Sequence, residues 1–264
     1  MNIRELFDDM WALYVRINPS VNKVRKLMEQ HEGGPVKNDH IAIRTFNHPR
    51  VNREVLAQSF LNSGYKAVED LKFEKKKLDA TYYLHDDDDL TRVFISELKL
   101  EEFSPELQET VNQLINQIPN KAIEQFDFCN SGAPWSMITK ETYDFLKEES
   151  EYAAWVATFG FIVNHFTISV TDCDSFDNLE QVNSYLKENG YRINDSGGEI
   201  KGSVEQGLEQ SSILAEDIIV EFDSMTDETH DIPGCYYEFA LRHNNFDGFI
   251  AGSADKIFES TDNK

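Results

Sequence analysis

The chain has 264 residues, enough for a real hydrophobic core in one large domain or two small ones. Hydrophobic residues at 40% and aromatics at 12% exclude wholesale disorder, and no apolar run approaches the roughly 18 residues that a membrane span needs. A formal charge of −23, from 25 basic and 48 acidic residues, repels phosphate backbones and argues against nucleic acid as a partner, although a locally positive pocket can still take a small anion.

The N-terminal stretch MNIRELFDDMWALYVRI carries three acids, lacks the basic-then-apolar pattern of a secretory signal and reads as an amphipathic helix over 3–17. A second helix is expected over 20–31. NDHIAIRTF (38–46) reads as a strand, VNREVLAQSFLNSGY as a helix, 66–73 as a less regular strand, and KLDATYYLH and TRVFISEL as two more. The acid run Asp86 to Asp89 lacks the alternating oxygens and the Gly of a calcium loop, so it is expected at a solvated hairpin tip. Residues 100–160 read as a helical insertion that covers a cavity, with helices over 104–118 and 139–155. Ser104 followed by Pro105 opens the first, and Thr139 opens the second. NHFTISVTD is again a strand, FDNLEQVNSYLKENGY a helix, and SSILAE, DIIVEF and CYYEFALR three strands. Cys129, Cys173 and Cys235 are odd in number and form no CxxC, which suggests reduced thiols and a cytoplasmic location. Cys235 reads as a packing residue.

The chain therefore reads twice. His40 precedes Gly64 by 24 positions and His165 precedes Gly190 by 25, with a strand, a polar loop, a helix and a closing Gly-Tyr in each stretch. The expected fold is α+β: paired βαβββ modules at 36–99 and 161–243 form a curved sheet around a metal cavity. The helices of 1–35 and the insertion at 100–160 are added to it, all within a single domain over 1–264.

Strand side chains alternate between faces. Ile41 and Ile43 share a face opposite His40, Ala42 and Arg44. Phe166, Ile168 and Val170 oppose His165, Thr167 and Ser169. Tyr237, Phe239 and Leu241 oppose Tyr236, Glu238, Ala240 and Arg242. Each strand thus has a greasy face and a face with one potential ligand, and His40, His165 and Glu238 can converge. A lone strand histidine is more often a hydrogen-bonded core residue than a ligand. The matching places of these two in the repeat favour ligation, and so does Glu238, a carboxylate within an apolar strand. An ion pair with Arg242 is the plain alternative for Glu238. The remaining histidines, His31, His48, His85, His230 and His243, sit in stretches read as helix ends or loops.

Two imidazoles and a carboxylate on one side of an octahedron leave open positions, as in non-haem Fe(II) oxygenases. Zinc, manganese or nickel could take the same ligands. Arg44 follows His40 by four positions on the same face, roughly 13 Å along the backbone, and an arginine there can bind a carboxylate bidentately. The alternative is a structural ion pair, with Glu97 as a candidate partner. Glu97 is also a candidate fourth metal ligand.

The strings HIAIRTF, VFISEL, EYAAWVATFGFIVNHFTISV, GGEIKGS, LEQSSILAE and GCYYEFALR, from about residue 36 to residue 243, resemble the 2-oxoadipate dioxygenase/decarboxylase family. The resemblance implies a vicinal-oxygen-chelate-like fold similar to that of hydroxymandelate synthase. It implies iron ligands at His40, His165 and Glu238, a substrate-binding arginine at Arg44, and cavity-lining roles for Gln210 and Ser211. The implied reaction uses O2 to convert a 2-oxo dicarboxylic acid, 2-oxoadipate, to 2-hydroxyglutarate and CO2, as in lysine catabolism, with no separate 2-oxoglutarate. The chain is shorter than many members at its C-terminus, which bears on substrate preference more than on the metal site. Two other readings remain: a metal-dependent isomerase or lyase of the same fold, favoured if Glu97 is a fourth ligand, and a non-catalytic small-ligand-binding protein.

Overall fold

Hydrophobic residues recur at helical spacing in the segments that become helices. Leu179, Val182, Asn183 and Leu186 are the buried stripe of one, and Leu107, Val111, Leu114 and Ile115 of another. A computed structural model of the chain describes residues 1–224, 228–252 and 260. The helices are α1 (Ile3–Ile17), α2 (Pro19–Glu32), α3 (Arg53–Leu56), α4 (Gln58–Asn62), α5 (Pro105–Asn116), α6 (Asn120–Ile123), α7 (Lys140–Glu149), α8 (Glu151–Phe159) and α9 (Leu179–Glu188). The strands are β1 (Asn38–Phe46), β2 (Lys66–Phe73), β3 (Leu78–Leu84), β4 (Arg92–Leu98), β5 (Val163–Ser169), β6 (Lys201–Ser203), β7 (Leu208–Ser212), β8 (Asp217–Glu221), β9 (Thr229–Pro233) and β10 (Tyr236–Arg242). Among the described residues no helix is long and apolar enough to cross a membrane.

The chain divides into two interleaved compact units, and β1 passes from one to the other after Ile41. The first unit comprises 1–13, 42–163 and 219–232. Its strands run β2-β3-β4-β1, with β2, β3 and β4 antiparallel neighbours. The insertion at 100–160 lies in this unit. Its α7 and α8 meet at Ser150, whose extended backbone (φ −156, ψ 108) ends one helix while its hydroxyl accepts from the Ala153 amide at 3.1 Å to cap the next. The single helix expected over 139–155 is therefore two. The helix expected after β1 is likewise two short pieces, α3 and α4, joined at Ala57, which keeps helical torsions. The acid run occupies the turn between β3 and β4, where Asp86 meets Lys66 and Asp87 meets Arg4.

The second unit comprises 14–41, 164–218 and the described part of 233–264. Its strands run β1-β5-β10-β7-β6, and β10 pairs parallel to β5 and antiparallel to β7. Each module thus uses one order: the first strand neighbours the fourth, then the third, then the second. With Gly64 at φ 100 and Gly190 at φ 88, both in the left-handed region expected after a helix, the repeat read in sequence is a repeat in topology. The fold is α+β and vicinal-oxygen-chelate-like, two βαβββ modules with added helices.

Two strands of the second module differ from expectation. The strand placed at SSILAE is β7, which begins earlier at Leu208 and ends at Ser212. DIIVEF does not join the module: it forms β8, which pairs with β9 in a separate two-stranded sheet inserted before β10. The module's second strand is instead the three-residue β6, too short and too polar to register as a period-2 pattern.

Candidate metal centre

His40, His165 and Glu238 come together in the second unit. Each offers one ligand atom, all of these atoms lie within 4.8 Å of one another, and the residues are 2%, 4% and 0% exposed. Strand pairing places them. His165 aligns with Tyr236 across β5 and β10, so Glu238, two residues on, aligns with Thr167, two residues past His165. Side chains two apart on a strand share a face, which puts both ligands on one side of the sheet. His165 Nε2 lies 3.1 Å from Glu238 Oε2, and His40 Nε2 lies 3.6 Å from Glu238 Oε1. The Tyr236 ring stacks on His165, with centroids 4.6 Å apart.

Each donor has its own support. His40 Nδ1 donates to Asp39 Oδ2 at 2.7 Å, which leaves the Nε2 lone pair turned to the cluster, where Thr167 Oγ1 stands 3.0 Å away. His165 Nδ1 lies 3.3 Å from Asn164 Oδ1. Gln210 donates its side-chain amide to Glu238 Oε1. Burial works against charge on Glu238, but the adjacent His165 and then His40 hold its carboxyl below the usual carboxylate range. Burial likewise opposes charge on Asp39. There the Arg242 guanidinium, together with His40, prevails and keeps the carboxyl well below its ordinary value.

The donor set fits a divalent transition metal. Cis ligands on an octahedral ion with bonds of about 2.1 Å sit about 3 Å apart, so donor atoms that lie within 4.8 Å of one another need closing movements of about 1–2 Å to hold an ion. Two imidazoles and one carboxylate are also the facial triad associated with non-haem Fe(II) chemistry. Among the described residues this is the group of three or more His, Cys, Asp or Glu side chains placed to hold an ion, and Glu97 does not belong to it. Glu97 is half of an ion pair in the first unit. Its Oε2 accepts from the Arg53 amide at 2.9 Å, its Oε1 lies 3.7 Å from Arg53 Nη1, and burial raises its carboxyl above the ordinary value. Glu97 as fourth ligand, and with it the main support for an isomerase, is set aside.

The other candidates fall as follows. Arg44, 2% exposed and in the first unit, packs its guanidinium carbon 5.1 Å from the ring centres of both Tyr152 and Trp155. Gln210 acts on Glu238. Ser211 aligns with Phe239 across β7 and β10, on the opposite face of the strand from Gln210, whereas Ser212 aligns with Glu238. The ion pair weighed between Glu238 and Arg242 does not form, because Arg242 grips Asp39. His230 lies on β9 rather than in a loop, and His31 ends α2 stacked on Phe176. None of the three cysteines is in a disulfide, and burial pushes the Cys129 thiol up to about 12, so it is no nucleophile. Sequence reasoning missed Asp39. Strand alternation turns residue 39 away from residue 40, yet Nδ1 sits close enough to the backbone for a neighbouring carboxylate to reach it. The signal available was the acid directly before the histidine.

A family model described as 2-oxoadipate dioxygenase/decarboxylase matches residues 6–245. A chloroplastic 2-oxoadipate dioxygenase/decarboxylase of Arabidopsis thaliana is 33% identical over 98% of this chain and 77% of its own length. The crystal structure of the hydroxyglutarate synthase of Oryza sativa in complex with 2-oxoadipate superposes with a TM-score of 0.90 at 31% identity, over 98% of this chain and 92% of that one. A Shewanella frigidimarina protein described provisionally as a hydrolase superposes with a TM-score of 0.87 at 45% identity, over 95% and 98% of the two chains.

Proposed function

The chain belongs to the 2-oxoadipate dioxygenase/decarboxylase family, and on that premise we propose that it is an Fe(II)-dependent enzyme that converts 2-oxoadipate and O2 to 2-hydroxyglutarate and CO2. The observation that carries the reading is the buried triad of His40, His165 and Glu238, with its donor atoms within 4.8 Å of one another. The reaction balances without a second 2-oxo acid. C1 of the substrate leaves as CO2, one oxygen atom of O2 completes the carboxylate at the former C2, and the other becomes the hydroxyl at the former C3. Decarboxylation supplies two of the four electrons that O2 takes up, and the C3–H bond supplies the other two.

A bound Fe(II) would supply open coordination positions for the 2-oxo-acid head and the electrons that activate O2. His40 and His165 would hold it through Nε2 and Glu238 through its carboxylate, with Asp39 and Gln210 orienting two of the three. Burial of the triad keeps bulk water from the reacting atoms. Arg44 is assigned to the substrate's second carboxylate. A planar, permanently charged fork suits that group, and stacking on Tyr152 and Trp155 holds it with little freedom left to lose on binding. An odd, sparse set of cysteines with no CxxC supports a reducing compartment such as the cytoplasm.

The test is O2 uptake by anaerobically purified, Fe(II)-loaded protein on adding 2-oxoadipate, with CO2 measured in parallel and His165→Ala as control. Equal uptake and release, absent in the variant, is the expected result. No uptake by protein that holds iron, across a panel of 2-oxo acids, would sink it.

A further inference from the structure

The two ligand histidines hold matching places in the repeat but are supported differently. Behind His40 stands a carboxylate at 2.7 Å, and behind His165 a neutral amide oxygen at 3.3 Å. Arg242 grips that carboxylate bidentately, with Nε 2.7 Å from Asp39 Oδ1 and Nη2 2.9 Å from Asp39 Oδ2. Its remaining nitrogen, Nη1, donates to the carbonyls of Phe246 at 3.2 Å and Gly248 at 2.8 Å. The guanidinium carbon lies 5.3 Å from the centre of the Phe249 ring, and that ring meets His40 edge-on at 4.8 Å. The contacts therefore close on themselves, from ligand to carboxylate to guanidinium to the 246–249 segment and back to the ligand.

We propose that Asp39 and Arg242 are positioning residues that give His40 anionic support, so that metal affinity depends on them far more than on Asn164. The inference rests on the metal-centre reading above. A carboxylate that accepts the Nδ1 proton fixes the tautomer with the lone pair at Nε2, fixes the ring orientation and raises the basicity of the donor nitrogen. Alone, that buried carboxylate would be costly. Arg242 compensates its charge and occupies both of its oxygens, so Asp39 supports a ligand without becoming one. The amide behind His165 can orient its ring but adds no charge.

The test is titration of apo-protein with Co(II), read by visible absorption and chelator competition, with the apo melting temperature measured alongside. Asp39→Asn in combination with Arg242→Gln removes both charges together, and it places at 39 the residue type that already stands at 164. This pair is expected to weaken Co(II) binding by about 10–100-fold, and Asn164→Ala to weaken it far less. Wild-type affinity in the double variant, or an equal loss in Asn164→Ala, overturns the proposal. If the double variant does not fold, Arg242→Lys carries the test, because it keeps the charge and loses the fork: a partial loss supports the proposal and unchanged affinity overturns it. Equal Co(II) binding by wild type and His40→Ala would instead remove the metal-centre reading itself.

Discussion

At the scale of single residues, the centre is a set of polar groups that are tolerable in a core only when partnered. His40→Ala, His165→Ala and Glu238→Ala should each abolish stoichiometric metal binding and leave the far-ultraviolet circular dichroism unchanged. Full metal retention in all three would refute the ligand assignment. Gln210→Ala removes the amide that Glu238 Oε1 accepts from, and should weaken metal binding without ending it. Tyr152 serves Arg44 indirectly. Its hydroxyl accepts from the Thr45 amide at 3.0 Å and donates to the Ser96 carbonyl at 2.7 Å, and burial raises its pKa well above the usual phenol value. Tyr152→Phe strands that buried amide and should cost about 1–3 kcal/mol of stability in urea unfolding. Arg44→Ala should raise KM for 2-oxoadipate while iron content stays at the wild-type level. The candidate triad was readable from strand alternation and the repeat. Its supports were not, because contacts such as Gln210 to Glu238 cross from one strand to another.

At the scale of elements, the junctions carry testable energy. Ser150 both ends α7 and caps α8, and Ser150→Ala should cost about 0.5–2 kcal/mol. Glu32, at the end of α2, clamps the loop after β5: Oε1 accepts from the Asp174 amide at 2.8 Å, and Oε2 from the Ser175 hydroxyl at 2.5 Å and amide at 3.1 Å. The Ser175 hydroxyl first, then the Asp174 amide, hold this carboxyl below its ordinary 4.5. A depressed carboxyl contributes stability that is fully present above its unfolded value and is lost as pH falls through the folded one. Wild type should therefore lose stability below about pH 4.5 by an increment that Glu32→Gln lacks, and urea midpoints between pH 3 and pH 7 check the difference. The strand before the centre has a steric condition as well. A Cβ at Gly234 would lie 2.1 Å from Asn18 Oδ1, the atom that accepts from the Cys235 amide at 2.7 Å, so Gly234→Ala should destabilise the entry to β10. Helices were the more readable elements, because amphipathic periodicity is local. The strand β8 was placed in the wrong sheet because a half-apolar run of five residues shows strand propensity but not which strand will accept it.

At the scale of the whole molecule, charge acts on stability, and so would a bound metal. Metal that binds only the folded state adds about 2.7 kcal/mol at a free concentration of 100 times Kd, so chelation should lower the melting temperature of wild type and leave that of His165→Ala unchanged. The net charge of −23 repels itself at low ionic strength, and moderate salt should raise the melting temperature of the apo-protein through screening.

What is local or periodic was legible along the chain: the helices, most strands, the repeat with its two glycine caps, and the faces on which His40, His165 and Glu238 lie. Order of motifs along the chain was enough to indicate the family. Tertiary structure alone decided which strand pairs with which, that Glu97 goes to Arg53 and Arg242 to Asp39, and that Gln210 serves Glu238. The physical reason is range. A side chain's face follows from the torsions of its own strand, but its partner is chosen by register between strands far apart in sequence, where a shift of one residue turns every side chain to the other face.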